Sequence, residues 1–544
     1  MMKNKMVRWV LAVCMIAGCL FRGLELFARS LEYDEIWTQM HYFKCSFIEI
    51  FFRLETPNNH PLHTLLAKYC YNLFGGGFWA LRFTAMFSGV ALLVLAFWAA
   101  VKYFRSKYAQ IAIAVLIAFS PYLVHYSNTA RGYSMQAFFV FAMMLFLFSY
   151  AQKPSILKAC GVFAAAVAAL FTIYSGLIFV CAAGGAYLLS FFKWRDLKNE
   201  FKKNLFLFAA GVDFLIVTGL WLGLNWGKIT QAQQFGTKII SCGQFFQSAG
   251  HLSYELGLLL PLILLVFAFV LRPGDRVLRF GLIFWALVML SMLATKCGPE
   301  RVYMPMIAVV FFCAVRGIEI VGAFFRKIRY TELVLTIILC LPCIFVQSGI
   351  ERISSPDWQY FVKQMERNTP EDCYIVYPAG DTYPIYFNYP DSAMNLAELS
   401  KKILSSAGFV SMEKQKISCL SEDNSEQKLS LGKPFANHTL SNNYSMSMYT
   451  LMPLTERNFC KGKPLIAFFV SMPKRRYFAM RKKLFDGDDC YLLNAFFNRD
   501  YIEDYTGAAV RSIPFFIPET SHDFAYYAEL ATPELKFYIL NYPE

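Results

Sequence analysis

Asp34 and Glu35 stand side by side in Glu32-Tyr33-Asp34-Glu35-Ile36-Trp37, seven residues after a long apolar run ends at Phe27. A carboxylate at a membrane surface can take the proton of an attacking hydroxyl, and needs only modest tuning to do so at neutral pH. Further on, Asn59-His60-Pro61-Leu62-His63 adds an amide and two imidazoles in a polar turn. Arg131 lies within Pro121-Tyr122 through Ala130-Arg131-Gly132-Tyr133-Ser134, and Arg301 within Glu300-Arg301-Val302-Tyr303-Met304-Pro305. Each guanidinium offers a planar fork of donors that matches phosphate oxygens, with Tyr133 and Tyr303 beside it. Asp34, Glu35, His60 and His63 are also groups that a divalent cation accepts. Their spacing is generic, however, and the chemistry requires no cofactor, so a metal is possible but not favoured. Each residue has a plainer role as well. Paired acids in a loop are commonly solvated, histidines at i, i+3 suit a turn, and an arginine can anchor a helix end on lipid headgroups. No GxGxxG or GxxxxGK[ST] stretch points to a nucleotide.

The elements that must position these residues are membrane spans. Of the 544 residues, 57% are apolar, and the fraction is unchanged when Tyr is exchanged for Gly, since there are 31 of each. Soluble domains hold about 45–50% apolar and about 25% charged residues, whereas only 17% are charged here. With a mean hydropathy of +0.40, the composition excludes a disordered or fibrous chain and argues against a soluble enzyme. The net charge of +14 is not a nucleic-acid footprint: residues 351–544 hold 21 basic and 24 acidic residues, so the excess belongs to the first 350.

Runs of the length that crosses a bilayer fall at 8–27, 79–101, 109–125, 133–151, 157–174, 176–192, 204–225, 251–271, 277–295, 303–324 and 332–349. These are eleven spans, of which 157–192 reads either as a hairpin or as one long helix. The loops on one side carry 19 Lys and Arg and the longer loops opposite carry nine. The positive-inside rule then puts the amino terminus in the cytoplasm and residues 351–544 outside. Ile16-Ala17-Gly18-Cys19 resembles a lipoprotein cleavage box, but the apolar run continues to Phe27, longer than a signal core.

The first outer loop, 28–78, is expected to hold interfacial helices. Asp34 should sit with Tyr33 and Trp37 at the headgroup level, and Met40 to Leu54 places Phe43, Phe47, Ile50, Phe51 and Leu54 at helical spacing. Residues 351–544 read as a small α/β domain. Helices are expected near 356–367, 382–388 and 474–485, with strands at 373–377 and 464–470 and a loop or lid over 391–460. Lys474-Arg475-Arg476 with Arg481-Lys482-Lys483 is expected to form a solvated face, the alternative being contact with anionic lipid or an acidic glycan. Cys373, Cys419, Cys460 and Cys490 allow two disulfides outside, in any of three pairings.

The order of these motifs carries a resemblance. An acidic pair after the first span, a His-Pro-Leu turn before the second, an Ala-Arg-Gly-Tyr-Ser turn between the third and fourth and an Arg-Val-Tyr-Met-Pro late in the bundle resemble the C-fold (GT-C) membrane glycosyltransferases. Within them the likeness is to the protein-mannosyltransferase and lipid A aminoarabinose-transferase type, over roughly residues 5–350. It implies a sugar donor linked to polyprenyl phosphate and transfer, with inversion, to a glycan, lipid or protein acceptor on the non-cytoplasmic face. Asp34 matches the family's general base, with Glu35 beside it. Arg131 and Arg301 match arginines near the donor phosphate. His60 matches the histidine of a His-Pro-Pro-Leu turn whose second proline is absent here.

A flippase for lipid-linked glycans would share the groove and the outer arginines, yet needs polar residues along a path through the membrane, of which Asp213 is the clearest. A polymerase or ligase using a diphosphate-linked glycan is a further alternative. The partners are thus the lipid-linked sugar, its acceptor and membrane lipid, with no nucleic acid. The setting is taken as a bacterial inner membrane, although Asn437-His438-Thr439 and Asn443-Tyr444-Ser445 would be glycosylation sites in a eukaryotic secretory pathway.

Overall fold

The computed structural model describes residues 5–24, 26, 33–52, 59–232, 239, 241–295, 298–341 and 343, followed by eight separate strands. The chain divides into two compact units. One comprises Met1–Arg29 and Trp37–Ser354; the other comprises Ser30–Ile36 and Ser355–Glu544.

The regular elements described in the first unit are all helices. Helix α1 (Lys5–Gly23) is followed by three shorter helices, α2 (Tyr33–Tyr42), α3 (Phe47–Phe52) and α4 (Pro61–Leu73). Then come α5 (Phe78–Tyr103), α6 (Lys107–Phe119), the short α7 (Pro121–His125), α8 (Tyr133–Gln152), α9 (Ile156–Thr172) and α10 (Gly176–Phe191). The remainder are α11 (Leu197–Lys203), α12 (Leu205–Ala232), α13 (Cys242–Glu255), α14 (Leu259–Leu271), α15 (Arg276–Thr295), α16 (Met306–Phe324) and α17 (Thr331–Cys340). Each of the apolar runs read from the sequence is mainly helical where described.

Among the described residues five helices, α5, α8, α12 through Asn225, α15 and α16, are by themselves long and apolar enough to cross a membrane. Their outer faces are apolar too: Phe87, Leu215, Leu220, Leu224 and Leu290 are exposed. Exposed apolar surface on this scale is not tolerated in water, and the chain is a polytopic membrane protein. At the centre lies α16, buried on almost every face and packed against α6, α8, α14 and α15. At one end of this helix, Glu319 accepts from the N–H groups of Arg105 and Ser106 at 2.6 and 2.8 Å, and Arg316 pairs with Asp275 at 3.2 Å. These bonds tie the α5–α6 connection to α16 and to the start of α15.

Three runs are less regular than expected. The amphipathic stretch from Met40 is two helices rather than one, because Ser46 and Glu49 form a reciprocal capping box that starts α3 afresh. The Ser46 N–H donates to Glu49 Oε2 at 2.6 Å and the Glu49 N–H to Ser46 Oγ at 3.3 Å. The run 109–125 breaks at Ser120-Pro121, since proline cannot donate to the helix ladder. The run 251–271 belongs to two arms, α13 and α14, bent by 108°. Gly257 takes φ +70° at the corner, a conformation open to glycine.

In the second unit a four-stranded mixed sheet has the order β1-β6-β8-β7, formed by β1 (Tyr374–Val376), β6 (Leu465–Val470), β7 (Ala509–Arg511) and β8 (Leu535–Asn541). β1 runs parallel to β6, and the other pairs are antiparallel. Within 391–460, read as loop, two antiparallel pairs occur: β2 (Lys416–Leu420) with β3 (Glu426–Ser430), and β4 (His438–Leu440) with β5 (Tyr444–Met446). The helices expected at 356–367, 382–388 and 474–485 and Cys373, Cys460 and Cys490 lie outside the described residues, as does the side chain of Cys419 on β2.

Candidate active site

The site is built at the turn between α6 and α8. Pro121 ends α6, the chain makes the single turn of α7, and residues 126–132 close with local bonds: Thr129 Oγ1 donates to the His125 carbonyl at 3.1 Å, and the Arg131 N–H to the Thr129 carbonyl at 2.6 Å. This delivers Arg131, 3% exposed, to the foot of α8. From the other side, Pro61 at the first position of α4 leaves His60 as the residue before the helix, 2% exposed, with no capping bond of its own. The ring is therefore available for tertiary contacts.

Those contacts are specific. The Gly132 N–H donates to His60 Nδ1 at 2.8 Å, and Arg131 Nη2 lies 3.2 Å from His60 Nε2. An Nδ1 that accepts leaves the proton of the neutral ring on Nε2, so the Nε2–H and the guanidinium are two donors converging on one spot. Arg131 Nη1 donates to Thr38 Oγ1 at 3.4 Å. The Tyr133 ring meets the His60 ring edge to face at 5.1 Å and lies under the Arg131 guanidinium at 5.9 Å. Burial first, then the charge of Arg131, then His63 and Arg301, hold the His60 imidazole well below its ordinary titration range. His60 is a neutral hydrogen-bonding group, and Arg301 acts on it electrostatically.

Of the other residues singled out in the sequence, Asn59, His63, Arg301 and Tyr303 belong to the first unit, whereas Asp34 and Glu35 fall in the segment Ser30–Ile36 of the second. Asn59 is buried and donates from Nδ2 to the Ile50 carbonyl at 2.7 Å, tying the turn to α3. His63 is buried one turn into α4. Tyr303 is buried in a 3-10 turn, Glu300–Tyr303, that carries Arg301, and its hydroxyl accepts from the Gly298 N–H at 3.3 Å. Asp34 and Glu35 occupy the first turn of α2, where the helix dipole favours negative charge. Asp34 is half-buried and Glu35 fully buried, one turn ahead of Thr38 on the same helix. The side chains of Tyr33 and Trp37 lie outside the described residues. No group of three or more His, Cys, Asp or Glu among the described residues is arranged to hold a metal ion.

Three functional features were not anticipated from the sequence. Thr38 is a partner of Arg131 that no local pattern announces. Arg22 on α1 and Arg82 on α5 are completely buried, and the signal was available: a charged residue inside an apolar run is a functional candidate by default. Asp213, which the sequence singles out instead, lies on an exposed face of α12.

Two expectations follow. Because the His60 proton affinity is depressed in the fold, below about pH 6.5 the unfolded chain takes up a proton that the native chain does not. Stability is then fully present above that pH and declines below it, by at most about 1.4 kcal/mol per pH unit for one proton. Thermal melts in detergent should show this acid-side loss in wild type and a smaller one in His60→Asn. Gly132 packs so closely that an added Cβ would meet Thr172 Cγ2 at 2.8 Å and His60 Nδ1 at 3.1 Å. Thr172 is held by a 2.7 Å bond to the Ala168 carbonyl, so Gly132→Ala should cost about 1–3 kcal/mol by overpacking, read in the same melts.

Buried polar groups gathered at one turn of a bundle with lipid-facing flanks mark a polytopic membrane protein, and its likeness to solved structures is that of a GT-C-like fold. The solved structure of ArnT from Cupriavidus metallidurans bound to undecaprenyl phosphate matches 99% of this chain and 98% of its own, with a TM-score of 0.50 and 14% identity. Its apo form matches 89% of this chain and 96% of its own, at 0.47 and 16%. The archaeal oligosaccharyltransferase AglB from Archaeoglobus fulgidus, in complex with an inhibitory peptide and a dolichol-phosphate, matches 71% of this chain and 60% of its own, at 0.44 and 13%. No protein-family model and no curated protein sequence matches the chain.

Proposed function

We propose that the protein is an integral-membrane glycosyltransferase that moves a sugar from a polyprenyl-phosphate donor to an acceptor on the non-cytoplasmic face. The observation that carries this reading is the Arg131 guanidinium and the His60 imidazole buried together, with Nη2 and Nε2 3.2 Å apart and His60 Nδ1 held by the Gly132 N–H. An acceptor oxygen there would take a bond from each. The GT-C-like fold, shared with a structure bound to undecaprenyl phosphate, supports a lipid phosphate as the source of that oxygen.

In this reading Arg131, with Arg301 behind it, stabilises the charge that grows on the phosphate oxygen as the glycosidic bond breaks. Asp34 takes the proton of the attacking acceptor hydroxyl, and the sugar inverts in a single displacement. Glu35 supports that acid, and Asn59, His63, Tyr133 and Tyr303 line the substrate. We further propose eleven spans over residues 1–350, an amino terminus in the cytoplasm of a bacterial inner-membrane protein, and residues 351–544 as a periplasmic α/β domain.

Purified protein in detergent, given a panel of polyprenyl-phosphate sugars with and without chelator, should release polyprenyl phosphate from one of them. Turnover that survives the chelator makes the transfer metal-independent. Lipid binding without release would move the reading to a flippase, and release of a diphosphate would move it to a polymerase or ligase.

A further inference from the structure

Residues 192–204 join the apolar helix α10 to α12, which is long and apolar enough to cross a membrane. The connection therefore lies where the chain leaves the hydrocarbon. Over 193–203 it holds five basic residues and two acidic ones. Its short helix, α11, is fixed to the bundle on one face. Glu200 and Asn204, one turn apart, are both buried. Asn204 Nδ2 donates to the Glu200 carbonyl at 2.8 Å, and Asn204 Oδ1 accepts from the Tyr187 hydroxyl of α10 at 2.8 Å. The Tyr150 hydroxyl of α8 donates to the Lys203 carbonyl at 3.0 Å.

With that face held inward, the rest of α11 is turned away from the protein. Leu197 and Phe201, one turn apart, are 57% and 55% exposed, and Lys198 and Lys202 follow them around the helix, exposed as well. Trp194, 56% exposed, donates from its indole N–H to the Leu188 carbonyl of α10 at 3.2 Å. Its ring meets Phe192 edge to face with centroids 5.0 Å apart, Phe192 meets Phe208 at 6.1 Å, and Phe208 stacks on Phe201 at 5.0 Å. Four rings in continuous contact are thus bordered by cations. Of the two acids, Glu200 is turned inward with Lys203 at 3.6 Å, and the Asp196 carboxylate takes two bonds from Asn199 Nδ2, each at 3.0 Å. Lys193, Arg195, Lys198 and Lys202 form no ion pair among the described residues.

Aromatic side chains with one polar edge settle at the headgroup level of a bilayer. Basic side chains at that level are attracted to anionic lipid. We propose that residues 192–208 form a binding surface for anionic phospholipid, with the four rings at the acyl boundary and Lys193, Arg195, Lys198 and Lys202 on the headgroup phosphates. The assignment requires only that the bundle is embedded in a membrane and is independent of the glycosyltransferase reading.

The test uses full-length protein in phosphatidylcholine vesicles that contain a minor fraction of dibrominated phosphatidylglycerol or, in a parallel set, the same fraction of dibrominated phosphatidylcholine. Bromine quenches tryptophan on contact, and the part of the quenching that is lost in Trp194→Phe reports this surface. Phosphatidylglycerol should quench Trp194 more strongly than phosphatidylcholine, and the preference should shrink as salt is added. Lys198→Gln combined with Lys202→Gln should weaken the apparent affinity for phosphatidylglycerol about 30-fold, from about 1 kcal/mol per basic residue near an anionic surface. Both side chains are exposed, so the melting temperature should not move. If the double variant is lost in purification, Arg195→Gln carries the same test with an effect of about fivefold. Equal quenching by the two lipids, or a preference that survives the double substitution, would overturn the proposal. Displacement of the lipid by inorganic phosphate would reduce the surface to a simple anion site, and tighter binding of polyglutamate than of phosphatidylglycerol would assign it to an acidic protein segment; either result also overturns it.

Discussion

Asp34→Asn should yield a chain that folds as wild type does and yet transfers sugar about 10²–10⁴-fold more slowly, the range a positioned general base contributes. The substitution is nearly isosteric, so packing around a half-buried side chain is preserved. What changes is the proton acceptor: an amide oxygen cannot take the hydroxyl proton as the acceptor attacks. The structural cost is small, because an acid in the first turn of a helix contributes only about 0.3–1 kcal/mol through the dipole. Transfer rate and melting temperature measured on the same preparation separate the two effects. Full transfer activity in a folded Asp34→Asn protein would remove Asp34 from the mechanism.

Arg131→Met should be the second severe change. Methionine keeps much of the apolar stem and removes the fork that faces His60 Nε2 and Thr38. Loss of one preorganised electrostatic partner of a developing oxyanion costs about 10²–10³-fold in kcat. Unlike Asp34→Asn, it should also raise the KM for donor lipid, since the same fork binds the phosphate in the ground state. Lysine at this position keeps a charge but not the planar fork, and should restore only part of the activity. A signature independent of activity follows from His60. Arg131 is the largest charge depressing the proton affinity of that ring, so in Arg131→Met the ring binds a proton more readily in the folded state. The acid-side fall in melting temperature should accordingly be shallower than in wild type. An Arg131→Met protein with wild-type donor KM and an unchanged pH profile of stability would place the phosphate elsewhere.

Much of this was legible from local pattern. Apolar runs of bilayer length announce helices whatever surrounds them, because an unpaired backbone in lipid is too costly for any other spanning form. The Arg131 turn is marked by Pro121, which cannot continue the α6 ladder, and by Gly132, where a side chain would meet Thr172 and His60. The break before α3 was equally local and could have been read from Ser46-Phe47-Ile48-Glu49, a capping-box spacing that the longer amphipathic pattern obscured. The bend at Gly257 was not readable in the same way. A glycine permits a left-handed corner without requiring one, and whether it bends depends on what α13 and α14 pack against.

By itself, then, the sequence determined the membrane environment, the helices and the chemical types available in the segments between them, because hydropathy, proline and capping act within a few residues of one another. Tertiary structure decided which of those types meet. His60 and Arg131 are 71 residues apart, and Arg22, whose guanidinium donates to the Ile117 carbonyl at 2.7 Å, lies 95 residues from it. Only helix packing brings an imidazole onto the Gly132 N–H, or a guanidinium onto a carbonyl that Pro121 leaves without its helical N–H. The pairing is specific because buried donors and acceptors must be satisfied wherever the packing strands them.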